Sequence, residues 1–179
     1  YDILDKDKQE QDFYEIEKDI EKAVNEFIKT NGIKKVTKKD EPESIEDAVF
    51  TFGNAQKLIN MTVKYMFISA YQDSNKAKLF DQCLCPMDGI MVDKVARIAG
   101  RLVDEGEEGL RASLENFAYK RPRAHDWAAK DEVRWSKLTL ENRKPYEGFQ
   151  EVVRALAERE GLSPLELDFC VWGSDGDER

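Results

Sequence analysis

Two residues in this sequence have the type and the setting for covalent chemistry. Lys57 stands just behind Gly53-Asn54, at the start of an apolar run, and Asp88 follows Pro86-Met87 at the head of another. A helix N-terminus carries partial positive charge, so a lysine there meets local repulsion. That repulsion makes the neutral amine, the form that attacks an electrophilic carbon, easier to reach. A carboxylate such as Asp88 can stabilise positive charge that develops on a substrate, or assist removal of a proton. Each residue also has a plain structural reading. Lys57 can be a solvated side chain on the polar edge of its helix, and Asp88 a helix-start carboxylate favoured by the dipole.

A third cluster, Lys120-Arg121-Pro122-Arg123-Ala124-His125-Asp126-Trp127, mixes basic groups with an aromatic. Such mixtures grip phosphates and stack on bases, with Arg121 and Arg123 as the phosphate-binding candidates. The alternative is a basic loop of an acidic protein, with Trp127 and Trp135 in the core. Trp127, Trp135, Phe149, Phe169 and Trp172 are the aromatics that could line a pocket or fill the interior. Cys83-x-Cys85 lacks two further ligands at matching spacing for zinc, and His125 is the single histidine, so no metal site is expected. No phosphate-cradling glycine loop and no serine nucleophile elbow is present, and no cofactor is expected.

The elements that must position these residues read as helices. Phe13, Ile16, Ile20, Val24 and Phe27 recur at steps of three and four, and Asn31-Gly32 ends that helix. Val36 to Glu43 reads as a polar linker closed by Pro42. Ser44 with Asp47 has the pattern of a capping box opening a short helix. Gly53-Asn54 supplies a turn, and Ala55, Leu58, Ile59, Thr62, Met66, Phe67 and Ala70 form the inward stripe of a long helix. Pro86 starts a Met87–Leu102 helix, with Met87, Met91, Val95, Ile98 and Leu102 on its apolar face. Further helices are expected over Leu110–Tyr119 and Pro145–Arg159, the latter closed by Gly161, and after the strong start Ser163-Pro164-Leu165-Glu166. No alternating strand pattern of useful length is evident. The reading is an all-α fold: one helical domain over residues 1–179, two small lobes around a unit at about 44–71, with 1–12 and 174–179 frayed.

Gly53-Asn54-Ala55-Gln56-Lys57-Leu58-Ile59-Asn60 resembles the hairpin and following helix of the helix-hairpin-helix DNA glycosylase and AP-lyase superfamily. Pro86-Met87-Asp88, followed by Val92, Val95, Ala96, Arg97 and Arg101-Leu102, is similar to that family's Pro-Val-Asp segment and its helix. The two motifs occur in the family's order and cover about a third of the chain. Ala55 stands in place of the second hairpin glycine, and Gln72 to Gln82 looks like an insertion. The four-cysteine iron–sulfur loop of part of the superfamily is absent, which implies the cluster-free branch. The resemblance implies that Lys57 attacks the sugar of a damaged nucleotide and that Asp88 assists. It also implies that the main chain of Gly53, Asn54, Ala55 and Gln56 holds phosphates beside the lesion, the damaged base being flipped into a pocket between helical lobes.

Composition bounds these expectations. Of 179 residues, 28 are Lys or Arg and 37 Asp or Glu, giving a net charge of −9 that opposes indiscriminate nucleic-acid binding. Residues 53–101, however, hold seven basic and four acidic side chains, a local +3 where phosphate contacts would fall. No apolar run matches a membrane span, since Leu58 to Tyr71 is broken by Asn60 and Lys64, and no secretory signal is evident. Three cysteines, an odd number, fit a reducing cytoplasm. The expected partner is damaged duplex DNA. The alternative is a non-catalytic all-α interaction or DNA-binding protein of a bacterial or phage system, with a protein partner and with Lys57 and Asp88 as a structural pair or unrelated surface groups.

Overall fold

A computed structural model describes residues 6–38, 41–73, 78–122 and 126–173; for 6–14, 36–38 and 41–44 it describes the backbone alone. The described residues hold six α-helices, three 3-10 turns and two short antiparallel ribbons, so they are mostly helical, as expected. Helix α1 (Lys6–Thr30) ends at Asn31-Gly32, where Gly32 takes a left-handed φ of 59°. Its expected inward stripe is only partly covered, with Ile16 and Phe27 exposed.

The short helix expected at Ser44 is a strand. Strand β1 (Lys34–Lys38) pairs with β2 (Glu41–Asp47), placing Lys34 opposite Asp47, Lys35 opposite Glu46 and Val36 opposite Ile45. Lysines on one strand face carboxylates on the other, with ion pairs Lys34–Asp47 and Lys35–Glu46. Each exposed pair stabilises little, but together they select this register over a local capping box. Pro42 is tolerated because a two-stranded ribbon is all edge. Residues 44–71 are therefore strand, connector and one helix, not helix, hairpin and helix.

Helix α2 (Phe52–Ala70) starts earlier than the sequence suggests, capped by Thr51, whose hydroxyl accepts from the Asn54 amide at 3.2 Å. The turn expected at Gly53-Asn54 is the first turn of this helix, and Lys57 lies in its second. Its buried face is also unexpected. Phe52, Ala55 and Phe67 are buried, but so are Gln56, Asn60 and Lys64, while Leu58 and Met66 of the expected stripe are about half exposed.

Helix α3 (Gly89–Asp104) starts and ends two residues later than expected. Of the expected apolar face Met91 and Val95 are buried on it, Met87 is buried just before it, and Ile98 and Leu102 are only partly buried, while Val92, Ala96, Ala99 and Val103 turn inward instead. Helix α4 (Arg111–Phe117) is shorter than the expected Leu110–Tyr119, because the chain leaves it to form β3 (Ala118–Lys120), paired with β4 (Trp127–Ala129). Helix α5 (Lys144–Glu160) ends at Gly161, left-handed at φ 67°, and α6 (Pro164–Gly173) follows. The expected capping box is present there: Glu166 accepts from the Ser163 amide and hydroxyl at 2.8 and 2.9 Å. One hydrophobic core joins Phe52 of α2 to α3, α4, β4, α5 and α6. Trp127 is 4% exposed and lies over Gly100 of α3, where an added Cβ would overlap its ring, so this tryptophan is core.

Candidate functional site

The start of α2 is fastened to the 3-10 turn Trp135–Lys137 and the residue after it. The Thr51 hydroxyl donates to the Ser136 carbonyl at 2.9 Å, and the Gly53 amide donates to the Leu138 carbonyl at 3.1 Å. Gly53 is required by this close approach, since a Cβ there would overlap the Trp135 carbonyl. The contact brings the Trp135 ring under Lys57, whose Nζ lies 4.4 Å from the ring centroid.

Asp88 reaches the same place from the other side. It is the N-cap of α3, and its Oδ1 accepts from the amides of Ile90 and Met91 at 3.1 and 3.0 Å. Its Oδ2 is left to face Lys57 Nζ at 3.5 Å. Thirty-one positions apart in sequence, the two expected residues thus form one half-buried pair, 33% and 14% exposed. One carboxylate oxygen is fixed by the helix, and the other is available to a cation or a developing positive charge.

Residues 84–88 form the segment that delivers Asp88, and two buried glutamines grip it. Gln56 of α2 accepts from the Met87 amide at 3.2 Å and donates to the Met87 carbonyl at 3.0 Å. Gln150 of α5 does the same for Cys85, at 3.1 and 2.7 Å. Asn60 donates to Gln56 Oε1 at 3.3 Å and to the Tyr146 hydroxyl at 3.0 Å. The Tyr146 hydroxyl in turn donates to Glu17 Oε1 of α1 at 3.1 Å. Burial pushes the Glu17 carboxyl up to about 8, although its bond from Tyr146 acts the other way.

Two turns beyond Lys57 on α2, Lys64 forms an ion pair with Asp168 of α6. Both are buried, at 11% and 1% side-chain exposure. The Lys64 ammonium also lies 4.6 Å from the Phe169 ring centroid and 5.7 Å from that of Trp172. Burial raises the Asp168 carboxyl; Lys64 opposes that rise, and Asp88 adds to it through charge repulsion. Asp88 and Asp168 therefore share one electrostatic neighbourhood, and Asp168 Oδ1 has no hydrogen-bond partner among the described residues. A cleft of about 370 Å³ between α2 and α6 is lined by Phe67, Ile68, Tyr71, Leu162, Glu166, Phe169 and Cys170, of which Phe169 also meets the Lys64 ammonium.

Several expected site residues are placed differently. The Gly53, Asn54 and Ala55 amides already donate within the protein, to Leu138, Thr51 and Thr51, and Ala55 and Gln56 are fully buried. Phosphate binding by these amides, implied by the resemblance, has no free donor at those three residues. Arg121 is exposed at the β3–β4 connection, with its amide on the Asp126 carbonyl at 2.7 Å; Arg123 and His125 lie outside the described residues. Cys85 is buried, with its thiol pushed well up by burial, and burial holds Cys83 up at about 11. No group of three or more metal-ligating side chains occurs among the described residues. Likewise, no described helix is long and apolar enough to cross a membrane.

Sequence reasoning missed the Lys64–Asp168 pair and the role of Gln56. Their signal was present: Gln56, Asn60 and Lys64 recur every four residues in the most apolar long helix. A polar stripe at that spacing marks a face that needs polar partners. Comparison of the chain with protein-family models, curated proteins and solved structures finds no match in any of the three.

Proposed function

We propose that the protein is a DNA base-excision enzyme, a glycosylase with AP-lyase activity. The observation that carries this reading is the approach of Lys57 and Asp88 to 3.5 Å, with the other Asp88 oxygen held by α3. Had the two side chains been apart, the mechanism would have failed. The uncharged Lys57 amine attacks the sugar C1′ of a flipped nucleotide. The C1′–N bond breaks, the base departs with that electron pair, and it takes up a proton. Opening of the sugar ring, with a proton taken up by O4′, yields a protonated Schiff base on Nζ. Loss of a C2′ proton then expels the 3′ phosphate and cleaves the strand, and water hydrolyses the imine to free the lysine. Asp88 accepts the Lys57 proton and stabilises positive charge on the sugar. Phe169, which meets the Lys64 ammonium and lines the 370 Å³ cleft, is the aromatic on which the base stacks in this reading.

A second reading, a non-catalytic protein-binding module, is favoured by one feature. The outer face of α2 exposes Leu58, Tyr65, Met66 and Ile68, each at least half exposed. Borohydride trapping on a duplex carrying an abasic site separates the two readings. A covalent adduct lost in Lys57→Ala supports the enzyme. Absence of an adduct, together with no base release from a panel of damaged duplexes, supports the module.

A further inference from the structure

We infer that Gln56 is the positioning residue of this site: through the Met87 main chain, its side-chain amide sets where Asp88 stands relative to Lys57. The inference rests on the Schiff-base reading above and adds to it a residue that touches neither sugar nor base.

Residues 85–87 belong to no helix or strand, whereas Asp88 is seated on α3 by its side chain and by its carbonyl, which accepts from the Val92 amide at 2.9 Å. Both hydrogen-bonding groups of Met87 are instead taken by one buried amide, as a neighbouring strand would take them. The Asn60 donor at Gln56 Oε1 fixes which end of that amide is oxygen, and Asn60 is itself tied to Tyr146. Gln150 fastens Cys85 in the same way from α5. Asp88 is the next residue along, and its Oδ1 is bound to the first amides of α3. On its N-terminal side Asp88 is reached only through the 85–87 segment, so the position of that segment bears on where its Oδ2 stands. Gln56 controls that position from the residue that immediately precedes Lys57. A single turn of α2 thus carries the amine and also holds the carboxylate that faces it. An apolar side chain would fill the same volume without setting this separation.

The test uses the full chain, a duplex with one abasic site, and borohydride. Gln56→Met keeps the volume and removes the amide. The expected result is a trapping rate, at saturating protein, lower by about tenfold to a hundredfold. Duplex affinity is expected to stay within about twofold, since the Gln56 side chain is fully buried. In an Asp88→Asn background the same substitution should change the residual rate by less than about threefold, because both act through one carboxylate. An unchanged rate overturns the inference, as does a loss of affinity that accounts for the lower rate. An undiminished effect in the Asp88→Asn background overturns it as well. Should Gln56→Met lack a cooperative unfolding transition, Gln150→Met must show the same coupling to Asp88→Asn, and its failure to do so is contrary. No adduct from the wild type, by contrast, removes the Schiff-base reading itself. An adduct from the wild type with any of the contrary results removes only the role of Gln56.

Discussion

Lys64 and Asp168 give a perturbation whose size follows from burial. Both side chains are almost wholly out of water, and each is the other's main electrostatic compensation. Removing one partner of such a pair leaves an uncompensated charge, at a cost of about 3–5 kcal/mol. Replacing both by apolar groups of similar volume is commonly neutral or stabilising. Lys64→Met should therefore lose about 3 kcal/mol in urea unfolding at pH 8, or roughly 6–12 °C in melting temperature for a domain of this size. Burial already raises the Asp168 carboxyl, and loss of Lys64 removes the main influence opposing that rise. A group whose folded-state value is raised stabilises most at low pH, and that contribution disappears as pH rises. The deficit of Lys64→Met should accordingly be smaller at pH 5 than at pH 8. Lys64→Met/Asp168→Leu should return to within about 1 kcal/mol of wild type. A double variant as unstable as the single one would refute the reasoning, since the pair would then be a stability element.

Two further outcomes can be checked by unfolding experiments. Glu17 is held near 8 in the folded protein against an ordinary 4.5, so the folded state binds the extra proton between those values. Wild-type stability should fall from about pH 5 to pH 8 by a few kcal/mol relative to Glu17→Gln, and parallel pH profiles for the two proteins would contradict this. In Gly53→Ala, the new methyl meets the Trp135 carbonyl, a backbone atom that cannot swing away. A loss of about 1–3 kcal/mol is expected, with weaker quenching of Trp135 by its neighbours; wild-type stability would show that the start of α2 is not seated there.

The parts of the fold legible in the sequence were those with local signals. Gly32 and Gly161 mark helix ends, Ser163 with Glu166 marks a start, and the apolar spacing from Met91 to Val103 marks α3. The β1–β2 ribbon was not legible because its register comes from charges on two separate segments, while Ser44 and Asp47 satisfy a helix-start pattern locally. Helix α2 misled for a related reason. Its apolar residues exceed what one face can bury, so periodicity alone could not show that Gln56, Asn60 and Lys64 are the ones turned inward. Their partners, Met87, Tyr146 and Asp168, lie 31, 86 and 104 positions away. For the site, Lys57 and Asp88 could be named from motif order. Their meeting depends on a segment held by Gln56 and Gln150, which nothing local predicts.

The most direct measurement is borohydride trapping on an abasic-site duplex with wild type, Lys57→Ala and Asp88→Asn side by side. Asparagine caps helices as well as aspartate does, so Asp88→Asn should keep wild-type stability while losing the charge. The expected result is a covalent adduct with wild type, none with Lys57→Ala, and a strongly slowed adduct with a fully folded Asp88→Asn. An adduct that persists in Lys57→Ala, or no adduct from wild type and no base release, would contradict the account and leave Lys57 and Asp88 as an ion pair at a helix start.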